Sequence, residues 1–148
     1  MGYNIIDIID KLMMIKKKTR EIYLNISEMN EEDKAFSLVA IALMKIQEKH
    51  IVYYKELKKN IGKDVEKIDF WIYDKISFLI DEYKNRVDIL EVNPKNMKEI
   101  LNLALDFEKK NSALIIDIQG RLVNKEVDVQ SKTYSVLSEM IQKEEKYL

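Results

Sequence analysis

KIQEKHIVYYKEL, residues 45–57, holds the only histidine of the chain. Read at helical spacing, Gln47 and His50 share a face with Leu43, Tyr54 and Leu57. That face is apolar and belongs inside. An unpaired buried amide or imidazole costs roughly 1–3 kcal/mol, so the pair calls for polar partners from other segments.

The surrounding chain is built for helices. Three glycines and one proline in 148 residues leave few places to turn. Asn4 is a good N-cap for a first helix reaching about Met29, with inner residues Ile5, Ile8, Ile9, Leu12, Lys16, Tyr23 and Ile26. A second starts near Asn30, where Glu31, Glu32 and Asp33 suit the positive end of the helix dipole, and ends at Gly62. Its inner face adds Phe36, Ala40 and Ile61 to the residues above. Residues 65–86 read as an extra helix with Ile68, Trp71, Ile72, Leu79 and Tyr83 inside. In VNPKN, 92–96, Asn93 is the expected cap and Pro94 the first helical position of a helix running to about Leu122. Met97, Leu101, Ala104, Glu108, Asn111, Ile115 and Ile118 mark its stripe. After a polar stretch near 124–131, the last stripe is Thr133, Leu137, Met140, Glu144 and Tyr147.

Stripes alternating by three and four residues predict an all-α fold, an antiparallel four-helix bundle spanning 1–148 as one domain. The segment at 65–86 is an extra helix in the long connection between bundle helices two and three, which lets those two run parallel. All four stripes carry polar interruptions: Lys16; Gln47 and His50; Glu108 and Asn111; Glu144 and Tyr147. The arrangement of lowest cost brings them to one level, where Lys16 can meet Glu108 or Glu144.

Composition narrows the partners. With 25 basic and 26 acidic residues interspersed, nucleic acid and anionic membranes are not expected as partners. The longest apolar run, LVAIALM at 38–44, is too short to span a bilayer. The start of the chain has acids inside its apolar stretch and no basic leader, so no signal peptide is expected. The absence of cysteine excludes disulfides and thiolate metal sites, and fits a cytoplasmic location.

QEKHIVYYKEL, NPKNMKEILNLALDFEKKNSALI and LSEMIQKEEKYL resemble the rubrerythrin branch of the ferritin-like superfamily, over about residues 5–148. Those bundles hold two metals with one Glu from each of two helices and Glu-x-x-His from each of the others. Carried over by position, the expected ligands fall at Lys16, Gln47, His50, Glu108, Glu144 and Tyr147. Only His50, Glu108 and Glu144 keep ligand chemistry. The resemblance therefore implies a degenerate di-iron site, with no metal or one weakly bound divalent ion (Fe, Mn or Zn), and no catalytic residue is assigned. Lys16 can take the electrostatic role of a metal; Gln47 keeps the shape of Glu without its charge.

Other readings stay open. A working di-iron or mono-metal oxidoreductase acting on peroxide or ferrous iron would need a separate redox partner, because no cysteine-ligated iron domain is present. A helical interaction module without metal is the third. His50 reads either as a core histidine beside a carboxylate or as a ligand. Lys16 reads either as inward or as snorkelling out beside Lys17 and Lys18. Tyr53, Tyr54, Phe70, Trp71, Tyr73 and Phe78 read as core or as the interface of an expected homodimer.

Overall fold

A computed structural model describes residues 2–146 and folds them as five α-helices: α1 (Ile5–Met29), α2 (Lys34–Ile61), α3 (Phe70–Asp88), α4 (Met97–Arg121) and α5 (Lys132–Glu145). A 3₁₀ turn at Glu126–Gln130 precedes α5. The fold is all-α. Among the described residues the only strand-like pairing is an isolated bridge between Tyr3 and Ile68. None of the helices is long and apolar enough to cross a membrane.

The helix ends follow capping chemistry, and three of them differ from the sequence expectation. The Asn4 side chain accepts from the Ile6 amide at 2.8 Å while Asp7 accepts from the Asn4 amide at 2.9 Å, a reciprocal capping box. Asn30 closes α1 instead of opening α2: its side-chain amide donates to the Ile26 carbonyl at 2.7 Å. Asp33 caps α2 through the Phe36 amide, which leaves Glu31 and Glu32 in the turn. Gly62 ends α2 with φ of 72°, a conformation that glycine adopts without steric cost.

The extra helix begins at Phe70, not 65. The Ile68 amide is taken by the Tyr3 carbonyl at 2.8 Å, and Asp69 caps through the Trp71 amide at 2.9 Å. This start rotates the helix so that Trp71, expected inside, is 73 % exposed, and Tyr73, Ile76, Ile80, Tyr83 and Val87 form the buried face. The next helix starts at Met97, capped by Asn96 through the Glu99 amide at 3.0 Å, and Pro94 lies buried ahead of it. Asn93 and Pro94 are thus outside the helix, and the Asn96-x-x-Glu99 spacing supplies its start. Met97 and Leu101 turn outward, while Ile100 is fully buried in their stead.

Specific contacts give the helix directions. Ser27 and Ser37 hydroxyls meet at 2.7 Å at one end of α1 and α2, and Lys58 pairs with Asp10 at the other, so the two are antiparallel. α3 lies parallel to α1 with a constant offset: Tyr3 stacks on Tyr73 at 3.9 Å, Lys11 pairs with Asp81 at 2.8 Å and Lys18 with Asp88 at 3.5 Å. α5 runs back along α2, where Tyr53 donates to Glu139 at 2.5 Å and the Lys132 ammonium reaches the Ile61 carbonyl. It also runs back along α4, where Gln119 reaches Ser138 at 2.7 Å. α2 and α4 therefore point the same way, as the long connection through α3 requires. The start of α5 is held from a distance: Glu66 accepts from the Thr133 amide at 2.9 Å, the Thr133 hydroxyl at 2.8 Å and the Lys132 amide at 3.0 Å.

Candidate functional site

The apolar faces of α1, α2, α4 and α5 carry their polar interruptions to one buried layer. Lys16, Gln47, His50, Glu108, Asn111 and Glu144 are each at least 94 % buried. Lys16 points inward at 2 % exposure, which removes the snorkelling reading; its neighbour Lys18 instead pairs with Glu21 and Asp88 outside. The residues at 16, 47, 50, 108 and 144 are thus gathered as the sequence expectation placed them. Tyr147 lies outside the described residues.

The layer is asymmetric. The Lys16 ammonium stands 2.9 Å from both oxygens of Glu144 and 4.0 Å from Glu108. Glu144 also accepts from the Tyr54 hydroxyl at 2.7 Å and lies 4.0 Å from His50 Nδ1. Glu108 accepts from the Gln47 side-chain amide at 3.2 Å through one oxygen; its other oxygen has no hydrogen-bond donor among the described residues. The Tyr23 hydroxyl and both side-chain polar atoms of Asn111 are similarly buried without such a bond.

Protonation follows from this geometry. Burial acts to raise the Glu144 carboxyl, but the Lys16 charge, His50 and the bonds from Lys16 and Tyr54 outweigh it and hold it well below the usual range. Burial pushes Glu108 up; Lys16 opposes this, too far away to prevail, and the negative charge of Glu144 adds to the rise. Burial, then the Lys16 cation, lowers His50 to about 4 against a smaller pull from Glu144, so its imidazole is neutral at pH 7. Burial, reinforced by Glu144, keeps Tyr54 protonated and donating. At neutral pH the layer is centred on one ion pair, Lys16 with Glu144. That suits a low-dielectric interior, where an uncompensated charge is far more costly.

One donor atom each from His50, Glu108 and Glu144 lies within 4.8 Å of the others, so the three could close on a single metal ion. The Lys16 ammonium already stands against both Glu144 oxygens and Gln47 donates to Glu108, and among the described residues Glu108 and Glu144 are the buried carboxylates of the layer. Tyr54 and Tyr23 join the layer although the sequence expectation gave neither a place in it: Tyr23 reads as core, and Tyr54 as core or dimer interface. The signal was available for both, since each follows a polar stripe residue, Gln47 or Lys16, by seven positions. No family model, no curated protein and no solved structure matches the chain.

Proposed function

We propose that the chain is a ferritin-like, rubrerythrin-type four-helix bundle in which a lysine has taken the place of the metal, and that it works without redox chemistry as a binding or structural protein. The observation that carries this reading is the Lys16 ammonium, 2.9 Å from both oxygens of Glu144 and 4.0 Å from Glu108. A cation among carboxylates is what a metal supplies in such a layer, and here the chain supplies it covalently. Gln47 fits the same reading: it keeps a hydrogen bond to Glu108 while lowering the negative charge that two metals would offset.

Elemental analysis of protein purified without chelator, repeated after anaerobic incubation with ferrous iron, tests the proposal. The expected result is no bound metal and an unchanged melting temperature. Two metal ions per chain would overturn it and restore a peroxide- or ferrous-iron-directed oxidoreductase. A companion variant, Lys16→Glu with Gln47→Glu, should gain divalent-metal affinity, because it returns two carboxylates and removes the competing cation. Unmeasurable affinity in a folded double variant would contradict the placement of the site.

A second reading has an observation of its own. The grouping of His50, Glu108 and Glu144 within 4.8 Å favours one divalent ion, Fe, Mn or Zn, bound weakly in competition with Lys16. A stoichiometry near one in the same experiment would select it. For partners, the expected homodimer is proposed to meet on the outward aromatics of α3, where Trp71 and Phe78 are about 70 % exposed. Light scattering on Trp71→Glu, which should release monomer, tests that contact.

A further inference from the structure

α3 packs along α1 and meets α4 only sparsely. The space between α3, the 89–92 connection and α4 is an apolar groove of about 860 Å³, walled by Leu79 and Val87 of α3, Leu90 of the connection, and Leu103, Phe107 and Leu114 of α4. A second cleft, of about 540 Å³, opens between the middle of α3 and Arg121 at the end of α4. Lys75, Phe78, Leu79 and Glu82 line it from α3.

These four are the centre of a longer stripe on α3: Trp71, Lys75, Phe78, Leu79, Glu82 and Arg86. At 3.6 residues per turn the six fall within about 100° of the helix circumference. Leu79 is half-buried and the others are exposed. None of the three charged residues makes an ion pair among the described residues. The acids on the other flank of α3 are already matched, Asp81 by Lys11 and Asp88 by Lys18 and Lys84.

The stripe is complementary to its own reverse. Its residues are spaced four, three, one, three and four apart. Turning the helix end for end about a point between Phe78 and Leu79 therefore carries Trp71 onto Arg86, Lys75 onto Glu82 and Phe78 onto Leu79. Each pair is attractive: a guanidinium over an indole face, an ammonium against a carboxylate, and two apolar side chains together. Within one chain Lys75 and Glu82 stand about 10 Å apart along the helix, so they are not neighbours there. A two-fold axis through that point sets the α3 of a second copy antiparallel to the first and makes every contact twice. A parallel pair would set Lys75 on Lys75 and Glu82 on Glu82.

We propose that two copies of the chain join along this stripe, antiparallel, with Lys75 of each on Glu82 of the other, Arg86 over Trp71, and the Phe78 rings meeting in the clefts at the centre. This rests on the homodimer reading for its face, and adds the direction and the residues that select a like partner. It is independent of the polar layer. The stripe is about 22 Å long, at the small end of specific interfaces, so monomer and dimer are expected to exchange at about micromolar concentration.

Sedimentation equilibrium of the full chain across that range tests the proposal. Lys75→Glu and Glu82→Lys should each weaken dimerisation by about tenfold. Combining the two in one chain should restore it, and so should an equimolar mixture of the single variants, because each then meets the opposite charge. The chain has no cysteine, so introduced thiols report proximity without background. Trp71→Cys mixed with Arg86→Cys should give a disulfide-linked dimer on mild oxidation, and neither should do so alone. Phe78→Glu places like charges at the axis and should leave monomer. Suppose instead that Phe78→Glu disperses the dimer but the single charge reversals do nothing, the double reversal restores nothing, or Trp71→Cys links to itself. The antiparallel pairing is then overturned while the face stands. A chain that is monomeric throughout, or a dimer indifferent to Phe78→Glu, would overturn the pairing and the homodimer reading together.

Discussion

The polar layer and the α3–α4 groove solve opposite problems. In the layer, four helices converge and the buried charges are matched: Glu144 alone receives the Lys16 ammonium and the Tyr54 hydroxyl. In the groove, apolar side chains of two helices face each other without closing. The difference comes from directionality. A buried charge must be met within a few ångströms or it destabilises the fold, so the layer admits few arrangements. Apolar surface loses only about 25 cal/mol per Å² left in water, with no preferred direction, so a cleft can stay open at modest cost.

The contrast breaks if the layer proves soft or the groove stiff. Lys16→Met leaves Glu144 buried without its cation and should lower stability by about 3–5 kcal/mol in urea denaturation. A change within about 0.5 kcal/mol would mean that the ammonium is not where the structure puts it. Restoring neutrality with Lys16→Met plus Glu144→Gln should recover part of that loss. Next in size, Tyr54→Phe removes a hydrogen bond to an ionised carboxylate and should cost about 2 kcal/mol, read from the same curves.

The layer also carries a pH signature. Glu108 is raised in the fold, so its contribution to stability is fully present below its ordinary value of 4.5 and is lost as pH rises through the folded value. Glu108→Gln should therefore gain on the wild type as pH increases above about 4.5, then level off. A gap that is flat with pH would contradict the raised carboxyl. His50 has the opposite sign: lowered to about 4, its contribution is complete above 6.5 and lost as pH falls toward 4. His50→Gln should flatten the wild type's decline over that window.

Smaller effects sharpen the picture at the edges. Glu66→Ala strips α5 of its remote cap and should cost about 1 kcal/mol. On the groove side, Leu90→Ser changes a side chain that is 44 % exposed and should stay within about 0.5 kcal/mol by thermal melting. A loss as large as that of Lys16→Met would show that the groove is closed core and not a cleft.

Much of the layer is legible because the polar interruptions at 16, 47, 50, 108 and 144 repeat with the helical period. Periodicity says which face a residue joins, and a buried polar face demands partners. It does not say which partner. Lys16 could meet either carboxylate by spacing, and it chose Glu144, 128 residues away, because Tyr54 and His50 also converge there. The rotation of α3 departs from the sequence expectation for a related reason. Its stripe is ambiguous from 65 to 72, and the Tyr3–Ile68 bridge from the start of the chain sets where the helix begins.

By itself the amino-acid sequence determined that the chain is helical, roughly where the helices lie and which polar residues point inward, since helix periodicity and scarcity of glycine and proline act over a few residues. Tertiary structure alone decided which of two competing caps closes each end, which carboxylate takes the lysine, that Trp71 faces out, and that α3 stands off from α4. Each of these depends on side chains brought together from distant parts of the chain, where a difference of one hydrogen bond or one ion pair selects between arrangements that local pattern leaves equal.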